Sequence, residues 1–258
     1  MSPAQPWTLR DLGRSLNPPE IGGWFMIGFP LLAALLRHPS GPGAALAGAG
    51  FTAFLLRVPL KQVRSGVRPA LSRALLGAGA LLIAACTWAA AGLGPWKAFL
   101  PLLGALPCAA VALRADLRKR ARDLGVELAA LAFFCAFAPA IAIAGGASAP
   151  AAAGLWAQLF LSLAPGFAAV RYQLHARREP QGPERIQRWR TMHAVMVACL
   201  VLGGLLLLGR RAGPGWWLLQ VLLYGRAFVP LHRGPAWNLG VLEILADGAS
   251  VALIVLGR

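Results

Sequence analysis

Nine apolar runs, separated by short polar stretches rich in arginine, leave this chain few ways to fold. They cover residues 21–36, 44–60, 74–93, 98–113, 126–144, 151–170, 192–209, 215–229 and 239–256. A helix needs about 20 apolar residues to cross a bilayer, and only helices or closed barrels satisfy the backbone there. Several runs are shorter, so their helices should extend into the interface. The expected fold class is all-α: a polytopic transmembrane bundle of about nine helices, forming one integral membrane domain over residues 1–258. Residues 1–20 are expected to be a cytoplasmic segment. No small-residue cleavage site follows the first run, which points to a retained helix and not a removed signal peptide.

Charge points the same way. Charged residues make up 13% of the chain, against about 25% in a soluble domain. A net charge of +16 invites a nucleic-acid reading, but the basic residues come in bursts between apolar runs instead of on a folded polar surface. Nucleic acid is therefore not an expected partner. With the N-terminus inside, the inner segments hold 20 basic residues and the outer ones 5, namely Arg37, Lys97, Arg210, Arg211 and Arg258. That split is a positive-inside signal. It predicts a cytoplasmic N-terminus and an external C-terminus.

Two stretches resemble each other: residues 50–73, GFTAFLLRVPLKQVRSGVRPALSR, and residues 166–190, GFAAVRYQLHARREPQGPERIQRWR. Their spacing suggests two parallel four-helix repeats, residues 21–123 and 124–230, with residues 231–258 carrying a last helix. Arg57, Arg114, Arg171 and Arg226 fall at the inner ends of the even-numbered runs. Glu20, Glu127 and Glu243 fall at the inner starts of runs one, five and nine. The helix dipole favours both placements. Pro59 is expected to end the second helix near Arg57, and Pro30, Pro101, Pro107, Pro139 and Pro165 to kink the spans that hold them.

Two groups could carry chemistry. Arg57, Lys61, Arg64, Arg114, Arg171 and Arg178 either anchor topology or form a cationic pocket for phosphate or carboxylate, which a guanidinium binds through two points. Glu243 and Asp247, spaced i, i+4 on the last helix, face one way. Asp247 should lie about two turns into the membrane, where a carboxylate needs a partner, a proton or water. An ion pair with an arginine of an even-numbered helix and a ligand or proton site are the two readings. No cofactor or metal is implied. Cys86, Cys108, Cys135 and Cys199 lack ligand spacing and read as packing residues, and the four histidines have no haem-like arrangement. Trp24, Trp96, Trp156, Trp189, Trp216, Trp217 and Trp237 read as an interfacial belt.

The opening PPEIGGWFMIGFP (residues 18–30) resembles the start of the YwiC-like family of bacterial polytopic membrane proteins. Glu20, Gly22 and Trp24 match its P-x-E-H-G-x-W pattern, and Ile21 stands where the family has histidine. FLLRVPL (54–60), VRYQLHARRE (170–179) and GVLEIL (240–245) add shorter likenesses. The resemblance implies a multi-pass protein of the bacterial inner membrane with no assigned activity. Nine helices with basic loops after the second and sixth also resemble the UbiA-type prenyltransferases, whose aspartate-rich motifs hold magnesium and a diphosphate. Neither loop here holds an aspartate, so the likeness implies architecture at most. The expected function is thus the holding of membrane lipid, or another anionic amphiphile, in a basic vestibule facing the cytoplasm. A prenyltransferase lacking the aspartate motifs and an assembly partner of a membrane protein complex are the alternatives.

Overall fold

The computed structural model describes residues 21–66, 69–118, 123–178, 183–225 and 236–256. All of their regular structure is helical. The helices are α1 (Ile21–Arg37), α2 (Gly41–Ser65), α3 (Pro69–Leu93), α4 (Trp96–Gly104), α5 (Leu106–Leu117), α6 (Leu124–Ala144), α7 (Ala149–Arg178), α8 (Pro183–Leu208), α9 (Pro214–Tyr224) and α10 (Ala236–Leu256). Among the described residues each of the nine apolar runs lies mainly on a helix, the fourth divided between α4 and α5 and the eighth described only as far as residue 225. Five helices (α2, α3, α6, α7 and α8) are long and apolar enough to cross a membrane, and α4 with α5 makes a sixth if the bent pair is one span. Among the described residues the apolar parts of α1 and α10 are shorter, Met26–Arg37 and Ile244–Leu256. The protein is a multi-pass membrane protein.

Proline decides where the spans bend. It offers no N–H to the carbonyl four residues back, and its ring crowds that carbonyl. The chain breaks at Leu56, three residues before Pro59, and at Ala136, three before Pro139. It breaks again between α4 and α5, two residues before Pro107, with a bend of 45°. Pro59 therefore does not end the second helix. It kinks α2, which continues to Ser65 and closes on Gly66, whose φ of 71° suits the left-handed cap position. Arg57 consequently sits inside a bent helix.

The centre is α6 with α7. The first packs against α1, α2, α4, α5 and α7, the second against α1, α6, α8 and α10. Leu131, Cys135, Ala138, Ala140, Ile141 and Ala142 of α6 and Leu159 of α7 are fully buried. By contrast α3 lies at the margin, with Leu81, Trp88 and Leu93 exposed, as suits a helix facing lipid.

Contacts between helix ends follow strict alternation. At one end His38 abuts Gly145 at the close of α6, and Pro42 of α2 lies against Gly94 beyond α3. Arg37 of α1 donates from Nη1 to the Ile254 carbonyl of α10 at 2.7 Å, and Arg211 donates to the Pro150 carbonyl of α7 at 3.1 Å. At the other end Ser72 of α3 donates to Gln62 of α2 at 2.9 Å, and Arg171 of α7 meets Glu127 of α6. This second end, where α2, α5 and α7 finish, carries the arginine-rich connectors and is called the basic end below.

Small residues allow the closest approaches, because the backbone can come near only where no side chain intervenes. A Cβ on Gly145 would lie 2.8 Å from the His38 carbonyl oxygen, and one on Gly79 would lie 2.4 Å from a terminal carbon of Leu56. The first obstacle is backbone; the second is the tip of a flexible side chain. Gly145→Ala is expected to destabilise the detergent-solubilised protein by about 1–3 kcal/mol, and Gly79→Ala by clearly less. Thermal unfolding of the two variants side by side checks the order.

Candidate functional site

Of the arginines singled out from the sequence, Arg171 is joined to the start of α6, and Arg57 and Arg114 lie on helices that pack against α6. Arg171 stands seven residues before the end of α7, and Glu127 stands in the first turn of α6. Their side chains form a forked pair: Nε donates to Oε2 at 2.8 Å and Nη2 to Oε1 at 2.6 Å. About three quarters of each side chain is buried, with exposures of 26% and 24%. An acid near a helix N-terminus and a cation towards a helix C-terminus also sit where the dipoles favour them. The fork uses two of the guanidinium's five N–H donors and leaves the rest for another group.

Arg57 lies on α2, which meets α6 through aromatic packing. It follows the kink of α2 by one residue and is half-buried. One turn earlier Phe54 is 1% exposed and packs edge-on against Trp24 of α1 and Phe134 of α6, both with centroids 5.7 Å away. Arg114 is exposed near the end of α5, which packs on α6. Lys61 and Arg64 are exposed and lead away from that cluster, because the second half of α2 packs on α3. Glu20 lies outside the described residues. Gly22 lies on α1, and Arg178 and Glu243 lie on α7 and α10, but their side chains are outside what is described.

Asp247 is buried, 7% exposed, on α10. The partner found for Arg171 is an acid of α6. One turn beyond Asp247 begins a seam of polar side chains that the sequence reading missed. Ser250 and Ser162 are fully buried or nearly so, and Gln220 and Gln158 almost as deeply. Gln220 of α9 donates to Ser250 of α10 at 2.9 Å and, at 3.5 Å, to Ser162 of α7. Trp216 donates its indole N–H to Ser162 at 2.8 Å, Ser162 donates to the Gln158 carbonyl at 2.7 Å, and Gln158 donates to the Arg211 carbonyl. The signal for this seam was a glutamine or serine in each of three apolar runs: Gln158 and Ser162 in the sixth, Gln220 in the eighth and Ser250 in the ninth. In a membrane such hydrogen bonds join helices at about 0.6–2 kcal/mol each.

The tryptophans are correspondingly mixed. Trp96 is exposed, as an interfacial residue should be, but Trp216 is 3% exposed and belongs to the seam, not to a belt. Trp156 stacks on Phe160 at 5.4 Å and donates to the Ala132 carbonyl of α6 at 3.2 Å. Trp237 has no described side chain. Among the described residues no three His, Cys, Asp or Glu side chains gather as a metal ion requires.

Compared with known proteins, residues 17–142 match the family described as YwiC-like protein. No curated protein and no solved structure matches the chain. The matched stretch holds Trp24, Arg57, Lys61, Arg64, Arg114 and Glu127; Arg171 and Asp247 lie beyond it.

The forked pair makes a direct prediction. Removing Glu127 leaves the Arg171 charge three-quarters buried without its forked partner, the costly case for an ion pair. In a double-mutant cycle of Arg171→Ala and Glu127→Ala, followed by thermal unfolding in detergent, a coupling of about 1–3 kcal/mol is expected. Simple additivity would show that the fork contributes nothing.

Proposed function

We propose that this YwiC-like membrane protein holds an anionic amphiphile, a molecule with a phosphate or carboxylate head and an apolar tail, at its basic end. In this reading all nine apolar runs are inserted, the basic end faces the cytoplasm, and the C-terminus lies on the far side of a bacterial inner membrane. The arrangement around α6 carries the reading: Arg171 is forked to Glu127 at the start of α6, Arg57 and Arg114 lie on helices that pack against α6, and Lys61 and Arg64 are exposed further along α2. At the opposite end Arg37 and Arg211 donate to helix carbonyls, so part of that end's smaller charge is occupied by the fold itself. Cations near the membrane surface attract anionic lipid by about 1 kcal/mol each.

The repeat supports the same frame. In each half the second helix packs broadly on the third, α2 on α3 and α7 on α8. Parallel halves put both sets of second-helix arginines, Arg57 and Arg171, at one end.

Two measurements test this. In a cysteine-free background, Ser65→Cys should react with a membrane-impermeant maleimide only from the cytoplasmic side, and Ala212→Cys only from the other; the reverse pattern would sink the orientation. Separately, lipid extracted from the purified protein should hold about fivefold less tightly retained anionic species after Arg57→Ala or Arg171→Ala, the effect of about one cation. Unchanged anionic lipid in both variants would dismiss the function.

A further inference from the structure

The hairpin of α2 and α3 is held in one register along its length. Pro42 lies against Gly94, Cys86 faces Gly48, and Leu56 meets Gly79. At the basic end Gln62 accepts from Ser72 at 2.9 Å, and the Ser72 side chain is fully buried. Leu56 and Gln62 are therefore turned towards α3. Arg57, Lys61 and Arg64 stand at i, i+4 and i+7, the spacing that aligns side chains on one helical face, and this face is not the one that Gln62 presents to α3. Lys61 and Arg64 are exposed, and Arg57 is half-buried. No Asp or Glu occurs between residues 21 and 115, so none of α1 to α4 carries an acid. The row is thus three cations long on helices that hold no carboxylate.

We infer that the amphiphile of the proposed function carries two phosphates in line with its tail, a diphosphate head laid along the row Arg57, Lys61 and Arg64. The inference rests on that function and names its ligand class. Direction decides between heads. Because α2 is one of the spans, the row runs in depth and not along the membrane surface. It rises about 6 Å from Arg57 to Lys61 and about 4.5 Å from there to Arg64. A single phosphodiester sits at one depth and meets only part of such a row. Two phosphates side by side in the plane of the headgroups leave Arg57, the deepest member, behind. Two phosphates in line with the tail descend as the row does. The inner one then meets the Arg57 guanidinium, which holds a phosphate through two points, and the outer one meets Arg64 together with the compact charge of Lys61. The bond between Gln62 and Ser72 holds this part of α2 in its register on α3.

The test uses the full-length protein in mild detergent and two probes with one tail, dodecyl phosphate and dodecyl diphosphate, with binding read by native mass spectrometry. The diphosphate should bind about fivefold tighter, the effect of about one more cation. Lys61→Gln with Arg64→Gln should bring the two probes together, while Lys97→Gln with Arg210→Gln, exposed cations of the opposite end, should change neither. Should a variant fail to fold, the wild-type ratio alone decides. Equal binding of the two probes overturns the inference; if anionic lipid is still lost on Arg57→Ala, the basic-end reading stands without it. Equal losses in the two double variants mean general attraction of charge and also overturn it. Cardiolipin, whose two phosphates are joined side by side through glycerol, is the third arm. If it gains over phosphatidylglycerol as much as the diphosphate gains over the phosphate, the in-line arrangement is overturned. Binding of every probe that is indifferent to Arg57→Ala and Arg171→Ala overturns both readings.

Discussion

A charge taken out of water costs more than most helix contacts return, so Arg171 can stand three-quarters buried only because Glu127 meets it with both oxygens. That one pairing joins α7 to α6, the two helices at the middle of the bundle. It also constrains their register, because a guanidinium fork tolerates little sliding along the helix axis. With α6 fixed against α7, its other faces are left for α1, α2, α4 and α5. Arg57 and Arg114 arrive at the same end as a consequence: one comes through Phe54 against Phe134, the other on a helix that packs beside Glu127.

The rest of the bundle is held by weaker devices suited to a medium in which apolar contact alone discriminates poorly. The seam from Arg211 through Gln158, Ser162, Trp216 and Gln220 to Ser250 ties α7, α9 and α10 together with donors and acceptors that have no water to turn to. Gly145, just past α6, lets the His38 backbone beyond α1 come closer than a residue with a Cβ would allow, and Gly79 of α3 makes room for the Leu56 side chain of α2. Prolines bend α2 and α6 near the middle, so that straight rods are not forced past one another.

Much of this was legible before any coordinates. Among the described residues the nine apolar runs are mainly helical, because a run of that length in this composition has no other way to close its backbone hydrogen bonds. The alternation of ends follows from the loop charges and reappears in contacts such as Arg37 with Ile254. What stayed hidden depended on pairing in space. Pro59 looked like a stop because sequence shows the missing N–H but not the packing that carries α2 beyond it. Glu127 looked like a partner for its own helix dipole, since nothing local announces an arginine 44 positions away. Trp216 looked interfacial because position along a run says how deep a residue lies but not which way it faces, and only Ser162 across the bundle decides that.

The fork might be thought to consume the arginine that an anionic ligand would need, but charge and direction are separate contributions. Glu127 cancels the net charge of Arg171 and at the same time removes its rotamer freedom, worth about 2 kcal/mol for an unconstrained arginine. What remains is a set of N–H donors already aimed, beside a helix N-terminus that itself favours anions. Attraction over distance then has to come from groups outside the pair, and Arg57, Arg114, Lys61 and Arg64 stand at the same end to provide it. Under the proposed function, a site built this way would draw an anion by its rim and orient it by its centre. The YwiC-like stretch contains the rim and Glu127, while the arginine that Glu127 holds in place comes from the half of the chain beyond it.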